Sequence, residues 1–252
     1  MQTEEYKINY QLEGKHWWFL GRTNIAFSML KRHLPIKNNM RILDAGCGTG
    51  KNIEYLQKFG EVHGVDYSNE ALQFCHKRGL THLYRGEIEQ LPFEANSFDL
   101  VTCFGVLYHE GIKDDQKAIK ELSRVCKPGG YLLITTPAGE FLNKKPFYGA
   151  HDKSQRQARR HSKTKLVKMQ TEIGLQVQEI SYMNMFLMPA IAIVKVLSNI
   201  LPQKEFKSDV KQPHKSINKY LFSILNFENK IIKNHALPFG MTLISIAKKV
   251  QK

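Results

Sequence analysis

The feature that most limits what this chain can fold into is the alternation within its first 140 residues. Five short runs rich in β-branched and aromatic residues stand out: MRILDAG (40–46), EVHGVD (61–66), THLYRG (81–86), FDLVTCFG (98–105) and GYLLITT (130–136). Between them lie stretches with helical spacing, Asn52 to Phe59, Asn69 to Arg78 and Asp114 to Val125. Strands that alternate with helices imply a parallel sheet with crossover helices on both faces. KPGG (127–130) ends one helix and turns into the fifth strand. Beyond Pro137 the rhythm changes. A helix carrying Leu166, Met169 and Ile173 runs up to Gly174 as a C′ cap, and LQVQEISYM (175–183) alternates like a strand. A helical stretch (216–233) precedes a last strand, MTLISIAKK (241–249), so the segment between those two strands reads as an insertion.

Charge divides the chain in two. Residues 1–140 hold 17 basic and 17 acidic side chains, and residues 141–252 hold 20 and 6, so the whole net charge of +14 lies in the back half. A neutral front half and a basic back half suggest two jobs, the second facing something anionic. Cys47, Cys75, Cys103 and Cys126 have wide spacings and no CxxC pair. They read as reduced, buried thiols of a cytoplasmic protein and not as a disulfide frame or a zinc site; no metal is expected. Met1 is followed by polar and acidic residues without the apolar run of a signal peptide.

ILDAGCGTGKN (42–52) carries the chemistry. A strand ends at Asp44, glycines stand at 46, 48 and 50, and a helix starts near Lys51, so the backbone can turn tightly beside a ligand. A dinucleotide fingerprint would need glycine at position 51, where Lys51 stands. An acid at 44 would repel a pyrophosphate and suits an ammonium group. Asp66 ends the second strand, where a carboxylate can accept both ribose hydroxyl protons. Glu87 is offered to an exocyclic amine, Ile88 to a purine face, and Phe104–Gly105 ends the fourth strand at the same cleft.

This set resembles the class I S-adenosylmethionine-dependent methyltransferases of methyltransferase type 11. ILDAGCGTG is similar to their first motif, VDYSNEAL to the second, GEIEQLPFEANSFDLV to the third and fourth, and LSRVCKPGGYLLITTP to the strand that follows. The resemblance implies a seven-stranded Rossmann-like α/β sheet with an antiparallel seventh strand and S-adenosylmethionine as cofactor. It implies that Asp44, Gly46 and Gly48 hold the methionyl end, Asp66 the ribose, and Tyr67, Glu87 and Ile88 the adenine, with Phe104 in the same cleft. More narrowly, the chain looks like a bacterial branch associated with surface-polysaccharide and specialised-metabolite biosynthesis. That branch carries an N-terminal HWWF..R segment like residues 16–22, an HD…RR stretch like 151–166 and a PFG like Pro238–Gly240. The usual tyrosine after the arginine pair is His161 here.

On this resemblance residues 1–39 form a helical cap over the cofactor cleft of a 40–252 methyltransferase domain, with a basic and apolar acceptor-side lid at about 138–238. Arg22 is the candidate for the methionine carboxylate and Trp17, Trp18 or Phe19 for excluding water from the sulfonium; the other reading makes the aromatics a staple that pins the N-terminal helix. His109 and His151 are the candidate proton acceptors, and Trp18, Tyr108, Arg159 and Arg160 the acceptor contacts. The arginines, just ahead of a helix starting near Ser162 or Thr164, suit a carboxylate or phosphate. The apolar stretch 183–202 reads as a lid, with weak membrane-surface contact as its alternative. The expected reaction is methyl transfer to oxygen or nitrogen of a small, sugar-linked or lipid-linked acceptor. An RNA methyltransferase, suggested by the basic half, and a non-catalytic cofactor-binding protein are the alternatives; nucleic acid is disfavoured because no RNA-binding module is recognisable.

Overall fold

A computed structural model describes residues 3–35, 39–139, 158–191, 193 and 212–250. Two helices come first, α1 (Thr3–Leu12) and α2 (Trp17–His33). The alternating part follows as β1 (Met40–Ala45), α3 (Lys51–Leu56), β2 (Gly60–Asp66), α4 (Asn69–Lys77), β3 (Leu83–Arg85), β4 (Phe98–Phe104), α5 (Asp115–Val125) and β5 (Cys126–Pro137). The back half adds α6 (Lys163–Thr171), β6 (Leu175–Met183), α7 (Lys215–Ile232) and β7 (Thr242–Lys249). The seven strands form one sheet in the order β3-β2-β1-β4-β5-β7-β6. β1 to β5 pair in parallel, and β7 runs antiparallel between β5 and β6. The parallel pairing of the front strands and the antiparallel seventh strand beside β6 are those expected from the sequence.

The central strands are apolar on both faces because helices cover both. In β4, Phe98, Leu100, Val101 and Cys103 are all fully buried, as a parallel strand sandwiched by helices requires. α5 buries Ala118, Ile119, Leu122 and Val125 on one stripe. Helix starts are fixed by side-chain caps: Ser68 accepts from Ala71 N–H, Asp114 from Lys117 N–H and Ser162 from Lys165 N–H. Each such cap contributes about 1 kcal/mol. One boundary differs from expectation. KPGG does not end the helix: α5 stops at Val125, and β5 already begins at Cys126, with Gly129 at φ 78° where the pairing with β4 shifts register.

The HWWF segment is a helix start. His16 sits at the N-cap of α2 in extended conformation and accepts from Trp18 N–H. α2 then lies against α7 from the far end of the chain. A Cβ added at Gly21 would come within 2.2 Å of Leu225 Cδ1, so only glycine permits this approach. Asn218 stitches the pair by accepting from Trp17 N–H and donating to the Lys15 carbonyl. The stretch read as a lid begins differently: Met183 still belongs to β6, and the buried Glu228 carboxylate of α7 accepts from Asn184 and Phe186 N–H in the turn that follows. The remainder of that stretch beyond Ile193 lies outside the described residues.

Candidate active site

A cavity of about 380 Å³ opens at the carboxyl ends of β1, β2 and β4. These strands flank the point where the strand order reverses, which is where open α/β sheets bind ligands. Its inner wall is the turn after β1. Gly46 at φ 73° and Gly48 at φ 56° occupy the left-handed region. A Cβ on Gly46 would meet Val106 Cγ2 at 2.3 Å, whereas one on Gly48 would point into open space. Gly48 therefore leaves a bare stretch of backbone facing the cavity, a cradle for a ligand that must come close.

Asp66 lines the cleft at the end of β2. Its Oδ2 accepts from Gly48 N–H at 2.9 Å and its Oδ1 from Ser68 N–H at 3.0 Å. Burial pushes its carboxyl above the usual range, opposed by those two N–H donors. Each oxygen keeps a further lone pair, so the group can accept from a vicinal diol. Asp44 differs. It is fully buried, behind the wall and not on it, and Thr102 donates to its Oδ1 at 2.8 Å while Oδ2 has no hydrogen-bond partner among the described residues. Burial raises its carboxyl to about 7, with the Thr102 hydrogen bond and Arg22 acting against the rise. It acts on the cleft through its charge.

Helix geometry sorts the aromatic segment. Trp18, Phe19 and Arg22 line the cleft and Trp17 does not. Residues 18 and 22 share a face one turn apart, while Trp17 is rotated about 100° away. Of the three aromatics offered as the sulfonium shield, Trp18 and Phe19 are thus on the cleft wall, while Trp17 anchors toward α7 through its backbone N–H. The Arg22 guanidinium lies 5.6 Å from both the Phe19 and Phe104 ring centres. Its Nε is buried and has no hydrogen-bond partner among the described residues. Desolvation lowers its pKa, with Glu13, Tyr108 and Asp44 opposing.

The floor and mouth are formed by Gly86, Glu87, Ile88 and Glu89 on one side and by Phe104 to Ile112 on the other. Tyr67, 55% exposed, also borders the cavity, and Ile88 is buried. Tyr108 and His109 stack with ring centres 4.4 Å apart, and both face the cleft. Arg159 and Arg160 are not on its wall. Arg159 instead donates to the Ile112 carbonyl at 2.6 Å, and Arg160 is buried. The expected arginine anion site ahead of α6 is therefore replaced by a tether to the cleft mouth. His161 explains why. It is fully buried, its Nδ1 meets Thr136 Oγ1 at 2.8 Å and its Nε2 meets Asp115 Oδ2 at 2.9 Å, which pins the adjoining arginines in place. His151 lies outside the described residues.

Sequence reasoning expected a helical cap here but named none of its site residues: Tyr6 and Asn9 of α1 and Glu13 just past its end line the cavity, at the i, i+3, i+7 spacing of one helix face. That spacing was a readable signal, hidden because the face mixes polar and aromatic residues. Burial raises the Glu13 carboxyl, opposed by Thr49, Arg78 and Arg22. Arg78 holds α1 down: it donates to the Tyr10 carbonyl at 3.2 Å and to the Thr49 carbonyl at 2.7 Å, its guanidinium 4.3 Å above the Tyr10 ring.

The site thus offers several carboxyl groups, a desolvated guanidinium, aromatic walls and bare glycine backbone. Residues 43–134, from β1 into β5, match the family model described as "Methyltransferase domain". Residues 43–134 are thus a methyltransferase domain of the class I S-adenosylmethionine-dependent kind. The domain is similar to human "Probable tRNA methyltransferase 9B", 38% identical over 147 residues, covering 57% of this chain and 32% of that protein. It is similar to the demethylmenaquinone methyltransferase of Staphylococcus aureus, 36% identical over 111 residues and covering 40% of this chain and 45% of that one. The phosphoethanolamine N-methyltransferase 2 of Haemonchus contortus, solved with S-adenosyl-L-methionine, superposes with a TM-score of 0.57 at 25% identity, over 90% of this chain and 52% of that one. The chain spans about a third of the length of the first of these relatives. S-adenosylmethionine is the cofactor of the methyltransferase domain, and the residues present fit it: the orphaned Asp44 Oδ2 and Arg22 Nε are of opposite charge, as a zwitterion requires.

Proposed function

We propose that the chain transfers a methyl group from S-adenosylmethionine to an oxygen or nitrogen of a small or sugar- or lipid-linked acceptor. The observation that carries this reading is the pairing, in one cavity, of a diol-accepting carboxylate (Asp66) with a desolvated guanidinium (Arg22), backed by the buried carboxyl of Asp44 behind the wall. When bound, S-adenosylmethionine supplies an electrophilic methyl on a sulfonium. Asp66 holds the ribose hydroxyls, Arg22 the methionine carboxylate in a charge-assisted contact, and Gly46 and Gly48 admit the methionyl chain. Ile88 packs on the adenine beside Tyr67 and Glu87. Trp18 and Phe19 exclude water, which favours loss of positive charge from sulfur. His109, stacked on Tyr108 at the cleft wall, takes the acceptor's proton, and the alignment of acceptor and methyl supplies much of the rate.

A second reading, RNA methylation, is favoured by the name of the human relative and by the basic back half. The two differ in salt dependence, since binding to a polyanion weakens steeply with added salt. The test is calorimetric titration with S-adenosylmethionine, its demethylated product and NAD. Micromolar binding of the first two and none of the third is expected; NAD binding at this cleft would refute the assignment.

A further inference from the structure

At the opposite end of β2 from Asp66, three side chains unrelated to the cleft converge. Alternation along the strand puts Glu61 and His63 on one face. The pairing of Gly64 with Leu83, and the bond from Gly64 N–H to the His82 carbonyl at 2.8 Å, bring His82 alongside. One donor atom from each of Glu61, His63 and His82 lies within 4.8 Å of the others, and the two imidazoles stack at 5.0 Å. We propose that Glu61, His63 and His82 form a divalent transition-metal site, zinc in the first instance, that clips the edge of the sheet.

Three observations support it. His63 is buried, only 4% exposed, and walled by Tyr84, Phe93 and Phe98, so an imidazolium there is disfavoured and a neutral ligand is favoured. Its Nε2 stands 2.6 Å from Glu61 Oε1, a separation that needs a proton or a cation between the two. Two imidazoles and one carboxylate are a donor set zinc accepts while keeping one position for water. Zinc bonds place ligand atoms about 3.4 Å apart; the exposed Glu61 side chain can open from 2.6 Å and the exposed His82 side chain can adjust to meet that spacing. Arg41 is the competitor. Its Nε lies 3.4 Å from His63 Nε2, and its guanidinium, held over Phe98 at 5.1 Å, must yield the lone pair that the ion takes. β3 is a three-residue edge strand, so an ion here would tie β2 to the weakest-paired strand.

The test uses the full chain stripped with chelator, then titrated with Zn²⁺ by calorimetry and with Co²⁺ by visible absorption. One equivalent should bind with nitrogen- and oxygen-type Co²⁺ bands, raise the thermal midpoint, and lose at least about 100-fold in affinity in His82→Ala and in Glu61→Gln. Both replaced side chains are exposed, so the variants keep the fold. No saturable equivalent, unchanged affinity in both variants, or thiolate charge-transfer bands placing the ion on the cysteines would each overturn the proposal.

Discussion

The inner wall of the cleft and its mouth are both tied by a carboxylate, Asp66 and Asp115, yet they are held together over very different distances along the chain. On the inner wall, Gly48 and Ser68 N–H groups bind Asp66, and Gly46 N–H donates to the Val65 carbonyl at 2.7 Å, all within about twenty residues. At the mouth, residues 108–112 are fixed by a segment some fifty residues later: Ala158 N–H donates to the Tyr108 carbonyl, Arg159 to Ile112, and His161 bridges Thr136 and Asp115. The inner wall is a property of local backbone, while the mouth is a property of tertiary tethering. Damage to one should therefore spare the other.

The largest effect is expected from Gly46→Val. A side chain there meets Val106 at 2.3 Å and the backbone sits at φ 73°, so both space and conformation forbid it. Cofactor binding followed by calorimetry should vanish, with a lower melting temperature. His109→Gln should come next, lowering turnover about 10²–10⁴-fold with cofactor affinity unchanged; measuring both on the same preparation keeps wall and mouth apart. Unaltered turnover would show that His109 moves no proton.

His161→Ala should cost about 2–4 kcal/mol by chemical denaturation, because it leaves Asp115 and Thr136 without their buried partner. Cofactor affinity should stay within a few-fold. Burial lowers the His161 pKa below its unfolded value, so the unfolded state binds the proton more readily. This site's contribution is complete above about pH 6.5 and is lost as pH falls from there. The variant should lack that component of acid destabilisation.

The smallest effect is also the most diagnostic of design for a ligand. The Asp44 carboxyl is raised to about 7 in the fold, against an ordinary value near 4. Its charged form therefore costs stability as pH rises through the interval between them. Asp44→Asn should raise the melting temperature of the cofactor-free protein by a few degrees at pH 8. The gain should close toward pH 4, and cofactor affinity should fall. A lower melting temperature at pH 8 would mean that Asp44 is held by local contacts and is not poised for a cation.

What was legible in the sequence follows the same division. β1, β2, β4 and the glycine turn could be read because an apolar run followed by Gly46, Gly48 and Gly50 dictates its own geometry. β6 and β7 showed through alternation. The placement of Trp17, Arg159 and Arg160 could not be read. Trp17 differs from Trp18 only by rotation about a helix whose facing partner, α7, lies some two hundred residues away. Arg159 is held on the Ile112 carbonyl and Arg160 is buried, beside a histidine whose partners, Thr136 and Asp115, are distant in sequence. The described residues contain no helix long and apolar enough to cross a membrane.

The most direct measurement is a calorimetric titration of S-adenosylmethionine into the parent chain and into Asp66→Ala. Loss of two hydrogen bonds from ribose hydroxyls to a buried carboxylate should weaken binding by about 3 kcal/mol or more, over 100-fold. Equal affinity in the two proteins would contradict a cofactor seated between Asp66 and the glycine turn.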